Sequence, residues 1–114
     1  MPPIDRRKAT DRRRNARYAV NVEIEWESHN GRKTGTLSDI SRGGCFVLTE
    51  ADVSDGELVK IFLPVADGSA VEFLGQVANF VYEIGFAAHF LDLSEAQRQV
   101  LDSFVEEHSE SQPA

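Results

Sequence analysis

Arginines spaced four apart and a short acid–serine–glycine segment are the residues of this chain whose types and spacing could do chemistry. Arg13-Arg14-Asn15-Ala16-Arg17 forms an RxxxR pattern in a basic N-terminal arm, and Arg12 stands just before it. Asp39-Ile40-Ser41-Arg42-Gly43-Gly44 forms a DxSxxG pattern that begins 22 residues after Arg17. A guanidinium fork matches the paired O6 and N7 acceptors of guanine. A carboxylate such as Asp39 accepts from the N–H donors of guanine's Watson–Crick edge. Phosphates take guanidinium groups and free backbone N–H groups. The set therefore suits a ligand that carries both guanine and phosphate. Each pattern also has an ordinary explanation. An arginine-rich tail contains RxxxR almost by default, Asp-x-Ser can satisfy its own turn backbone, and Gly43-Gly44 can be a tight turn requiring positive φ. Arg13 and Arg17 stand at most ~13–14 Å apart if extended and within ~6 Å in a helical turn. Either geometry could clamp a compact ligand that carries phosphates.

These residues must be positioned by what lies between and after them. Tyr18, Val20, Val22, Ile24 and Trp26 alternate with Ala19, Asn21, Glu23, Glu25 and Glu27, the period of a half-buried strand. Ser28-His29-Asn30-Gly31 supplies turn residues, and Lys33–Ser38 returns as a second strand. Gly43-Gly44 breaks the chain before a strand at Cys45–Thr49. Leu58–Leu63 is stopped by Pro64, Ala66-Asp67-Gly68-Ser69 is the next turn, and Val71–Val81 and Glu83–Phe90 complete about six strands. Short antiparallel strands at this spacing give a sandwich or a barrel. Ser94-Glu95-Ala96-Gln97 is a capping box that opens a helix, with Ala96, Val100, Leu101, Phe104 and Val105 as its apolar stripe.

The chain has 114 residues, enough for one domain with its own core. Cys45 is the sole cysteine, so no intramolecular disulfide forms, and no apolar run reaches the length of a membrane span or a signal-peptide core. A cytoplasmic protein without membrane insertion is expected. The net charge of −7 is uneven: residues 1–17 carry seven basic and two acidic groups, the other 97 carry five basic and 17 acidic. The acidic body argues against binding along duplex DNA. The arm, with almost no apolar residue from Asp5 to Arg17, is expected to be mobile without ligand, as is the tail over 109–114. Three scattered histidines and one cysteine make no zinc site, no cofactor is expected, and no nucleophile–base constellation suggests an enzyme. His89 alternates with Ala87 on the face opposite Phe86 and Phe90. Whether His89, Arg14, Phe80 or Tyr82 touches a ligand stays open in the sequence.

The RxxxR and DxSxxG patterns, in this order and with an alternating strand between them, resemble the signature of the PilZ domain, the bacterial receptor module for cyclic di-GMP. Ile84-Gly85-Phe86-Ala87-Ala88-His89-Phe90-Leu91-Asp92-Leu93-Ser94 resembles the family's last strand running into its closing helix. The resemblance covers roughly residues 11–106. It implies a mainly β fold, a six-stranded antiparallel barrel with a C-terminal helix over residues 18–108, preceded by the arm. It also implies a cyclic di-GMP site formed by Arg12, Arg13, Arg17, Asp39, Ser41, Gly43 and Gly44, with Asp39 and Ser41 reading one guanine and Gly44 in close backbone contact. The output it implies is control of an effector protein in motility, secretion or exopolysaccharide production. One departure is visible: where some members place a large aromatic or an extra arginine against the second base, this chain has Ala78 and Asn79, with Phe80 and Tyr82 nearby. Two other readings remain, a PilZ-like adaptor that binds only protein, and a small barrel for RNA or single strands that would need an aromatic platform.

Overall fold

The computed structural model describes residues 17–108. The expected mobile arm over residues 1–17 lies, except for Arg17, outside the described residues, and so does the expected frayed tail over 109–114. The alternation beginning at Tyr18 becomes strand β1 (Tyr18–Ser28), which turns through His29 and Asn30 into β2 (Gly31–Ile40). Strands β3 (Gly44–Leu48), β4 (Leu58–Pro64), β5 (Ala70–Val81) and β6 (Gly85–Phe90) follow, and helix α1 (Glu95–His108) ends the fold. The strands close in the order β1-β2-β3-β6-β5-β4, every neighbour antiparallel. The six-stranded barrel with a C-terminal helix is therefore the architecture. The seam between β1 and β4 is the narrowest, three residue pairs from Glu25↔Phe62 to Glu27↔Lys60. Pro64, which has no N–H to donate, ends β4 just past it.

Period two sorts the side chains. Trp26, Leu37, Ile40, Cys45, Val47, Ile61, Leu63, Phe73 and Phe86 fill the interior with no exposed surface. Trp26 and Phe86 meet edge to face with centroids 4.8 Å apart. Full burial of each such side chain contributes about 1.5–3 kcal/mol. The helix adds Leu101 and Phe104 to the same core. Its capping box is formed as expected: the Gln97 amide donates to Ser94 Oγ at 3.1 Å, and the Ser94 amide donates to Gln97 Oε1 at 2.8 Å. Of the expected stripe, Ala96 is exposed instead, because Leu101 and Phe104 rather than the first turn reach the core.

Two boundaries differ from the sequence reading in ways that matter for the site. Strand β2 runs on past Ser38 because Asp39 and Ile40 pair with Ala19 and Tyr18 of β1, so Asp39 is a strand residue. Strand β6 starts at Gly85, not Glu83: Tyr82–Ile84 is a tight turn in which the Ile84 amide donates to Val81 O at 3.0 Å and Glu83 takes φ 63°. Register shifts between Ala19 and Val22, Leu37 and Asp39, and Val77 and Asn79 mark bulges in β1, β2 and β5. Bulges bend a strand and re-aim its side chains, and here two of the three adjoin Asp39 and its partner Ala19.

Candidate functional site

Asp39 sits on the outer face of β2, paired across to Ala19 of β1 and Phe46 of β3. Its side chain is 32% exposed, and its Oδ1 accepts from Arg17 Nη1 at 2.8 Å. The last arginine of the RxxxR pattern and the first residue of DxSxxG therefore meet. One carboxylate oxygen holds the arginine, and among the described residues the second oxygen of the same group takes no hydrogen bond. Arg12 and Arg13 lie outside the described residues.

Beyond Asp39 the chain leaves the strand at Ser41 and turns. The Ser41 hydroxyl is buried and faces its own turn. It accepts from the amides of Gly43 and Gly44, both at 3.2 Å, and donates to Gly44 O at 3.3 Å. The Ser41 amide also donates to Gly44 O, at 2.8 Å. The local turn chemistry that the sequence offered as the ordinary reading is thus present, and it gives the loop a fixed shape. From outside, Arg42 Nε and Nη2 donate to the two carboxylate oxygens of Asp102 on α1, each at 3.1 Å. A pair 60 residues apart leaves no local trace in the sequence.

Neither Gly43 nor Gly44 takes positive φ. Gly44 is required for another reason: a Cβ built there falls 2.2 Å from the backbone oxygen of Ala88, across the β3–β6 pairing. Gly43 is exposed, and its carbonyl accepts from the Phe90 amide at 2.9 Å. Gly43 therefore brings bare backbone to the outer surface beside Ser41, whereas Gly44 is buried against β6. The five described residues of the expected site, Arg17, Asp39, Ser41, Gly43 and Gly44, are brought together at one end of β2 and β3.

Register shows what shares this face. The row through Asp39 continues Asp39↔Phe46↔Ala87↔Asn79, and the row through Gly44 continues Gly44↔His89↔Gln76. Phe46 is the residue that sequence reasoning missed. The signal was available, since Phe46 alternates with buried Cys45 and Val47 and must point out of the barrel. Ala78 and Asn79 are exposed, Phe80 packs partly against the core, and Tyr82 stands in the turn at 69% exposure. Below the site, burial pushes the Cys45 thiol up to about 12, with the Asp39 charge adding and Arg17 opposing. That thiol is protonated and inert at neutral pH.

Elsewhere on the barrel, one groove of about 390 Å³ opens between Glu23, Glu25, Phe62 and Pro64, and another of about 500 Å³ lies between α1 and Val65; neither includes a signature residue. Among the described residues no group of three or more His, Cys, Asp or Glu could hold a metal ion, and no helix is long and apolar enough to cross a membrane.

The PilZ domain family model matches residues 11–107. The PilZ domain of YcgR from Escherichia coli, solved with c-di-GMP, is similar at 17% identity and TM-score 0.69, covering 84% of this chain and 90% of that one. The PilZ domain of CeSA from a cellulose-synthesizing bacterium is similar at 22% identity and TM-score 0.62, covering 80% and 95%. The Bacillus subtilis inhibitor of motility MotI/DgrA is similar at 17% identity and TM-score 0.66; the match covers 84% of this chain but 50% of that protein, so this chain spans about half its length. No curated protein sequence matches the chain at a significant level.

Proposed function

Because this chain belongs to the PilZ domain family, we propose that it is a receptor for cyclic di-GMP and not an enzyme. The observation that carries the reading is the meeting of Arg17, Asp39 and the Ser41–Gly44 turn on one outer face. The Asp39 carboxylate, steadied by Arg17, offers an acceptor to the N–H edge of one guanine. The bare backbone at exposed Gly43 admits close approach, and Arg12, Arg13 and Arg17 supply guanidinium groups for phosphates and guanine O6/N7. The structure solved for YcgR with c-di-GMP supports the choice of ligand by family analogy.

The output in this proposal is the arm. Residues 1–17 carry a net basic charge and little apolar surface, and fixing each backbone costs ~1–2 kcal/mol. A ligand gripped between Arg12, Arg13 and Arg17 and the barrel would draw the arm onto it. The changed surface would then be offered to an effector protein in the cytoplasm, in the control of motility, secretion or exopolysaccharide production. Part of the contact energy goes into that ordering, so affinity is lower than the contacts alone imply.

Calorimetric titration with cyclic di-GMP, with cyclic di-AMP and GTP as controls, tests the ligand. Asp39 would face the bare N1 lone pair of adenine, so cyclic di-GMP is expected to bind at least about tenfold more tightly, ~1.4 kcal/mol. Equal affinity for the two cyclic dinucleotides would remove the guanine-reading role of Asp39, and no binding at all would leave a protein-only adaptor.

A further inference from the structure

Two small residues and two rings alternate on the outer face of the β3–β6 pair. Gly44 stands opposite His89, and Phe46 stands opposite Ala87. Phe46 and His89 are therefore diagonal neighbours, about 7–8 Å apart on a sheet surface. Gly44 and Ala87 occupy the other diagonal, with no side chain and a single methyl group. The result is a shallow trough with a ring at each side, its floor half-buried at Ala87 and buried at Gly44. His89 is exposed, Phe46 is half-buried, and neither meets another aromatic ring among the described residues. Among the described residues His89 also forms no side-chain hydrogen bond or ion pair.

The width is what gives the trough a ligand. Stacked bases are spaced by ~3.4 Å, so one planar base between two rings needs about twice that distance, close to the general spacing of two diagonal residue positions on a sheet. The ends are polar. Asp39 is the cross-strand partner of Phe46 and lies diagonal to Gly44, so its carboxylate borders the floor at the β2 side. Asn79, the partner of Ala87, borders the β5 side. A base held between the two rings thus meets an acceptor at one edge and an amide at the other.

We infer that Phe46 and His89 are the two walls of a slot that clasps one guanine of the dinucleotide face to face while Asp39 reads its edge. This rests on the receptor reading above and deepens it. It gives the chain an aromatic support for a base from β3 and β6, where β5 offers only Ala78 and Asn79. Gly44 sets the spacing of the two walls, because its missing Cβ lets β3 approach Ala88.

The test is titration of the full chain and its variants with cyclic di-GMP, with thermal unfolding as the check on folding. Stacking between base and side chain gives the scale, so Phe46→Leu and His89→Ala are each expected to weaken binding by roughly tenfold. His89→Phe, which keeps a flat wall, is expected to bind within about threefold of the parent, while His89→Lys, which keeps only a cation, loses as much as His89→Ala. A His89→Trp variant adds a reading that does not depend on Phe46: its new emission is quenched by a base stacked on it, against the constant signal of buried Trp26. Parent-like affinity in both Phe46→Leu and His89→Ala would overturn the slot, as would retention by His89→Lys with loss in His89→Phe, which would make the contact one to phosphate. If the parent itself binds no cyclic di-GMP, the receptor reading falls first and the slot with it; if the parent binds and the variants do too, the slot alone falls.

Discussion

On the face built from β1, the start of β2 and β4, charged side chains answer one another, whereas on the face of β3, β6 and the ends of β2 and β5 they hardly do. Arg32 Nη1 reaches Glu25 at 2.9 Å, its Nη2 reaches Glu27 at 3.5 Å, and its guanidinium lies over the Phe62 ring at 4.1 Å. Lys60 reaches Glu72 at 3.9 Å. On the other face the strands present Asp39, Gly44, Phe46, Ala87, His89 and Asn79, and among the described residues the single ion pair there joins Arg17 to Asp39. The two faces rest on one core and share its strands. They differ in whether hydrogen-bonding groups are already engaged, and a site for an anionic, base-bearing ligand belongs where they are not.

The comparison can be broken first from below. Trp26→Ala removes the largest side chain beneath both faces and is expected to lower stability by about 3–5 kcal/mol, read by denaturant unfolding, with both faces lost together. Gly44→Ala tests the ligand face alone. Its methyl meets the Ala88 carbonyl, so β3 and β6 must part, at a cost of about 1–3 kcal/mol or more in stability, and binding should fail even in protein that remains folded. A mild effect would mean that the strands can yield there.

Ligand affinity sharpens the contrast. Arg17→Ala and Asp39→Ala are each expected to weaken cyclic di-GMP binding by roughly 1–3 kcal/mol, the scale of a good base contact. Arg32→Ala, on the opposite face, should leave binding unchanged and alter stability by about 0–1 kcal/mol, as exposed pairs do. Equal losses from Arg32→Ala and Arg17→Ala in titration would erase the distinction between faces.

A further effect is confined to alkaline solution and vanishes at neutral pH. The folded thiol of Cys45 is raised from its ordinary 9.0 to about 12. Above about pH 9 the unfolded chain loses this proton and the folded chain keeps it. The contribution is therefore whole below pH 9 and declines as pH rises toward 12, by at most ~1.4 kcal/mol per pH unit. Unfolding of the parent and of Cys45→Ala at several pH values in this window should show the steeper decline in the parent.

What the sequence disclosed follows the range of the interactions. The six strands and the helix start were legible because period two from Tyr18 to Trp26 and the Ser94–Gln97 box are local signals, and both are realised. The Arg17–Asp39 meeting could be anticipated from two motifs in order. The Phe46–His89 diagonal could not, because it depends on the register between β3 and β6, which no local pattern specifies. The bulges at Ala19/Val22 and Leu37/Asp39 likewise decide how Asp39 is presented, and a one-residue insertion is invisible in an alternating run. The start of β6 is hidden in the sequence because Ile84 is apolar yet exposed, in a turn that Glu83 enters with positive φ. Arg42 and Asp102 look like surface charges until the fold brings the loop to the helix.

Backbone amide shifts followed by NMR during addition of cyclic di-GMP test the central claim most directly, because they report both faces of one molecule at once. The account predicts the largest changes at Arg17, Asp39, Gly43, Gly44, Phe46, Ala87 and His89, with Glu25, Glu27, Arg32 and Phe62 nearly still. Saturable shifts centred on the β1–β4 face, or none on the β3–β6 face, would contradict it.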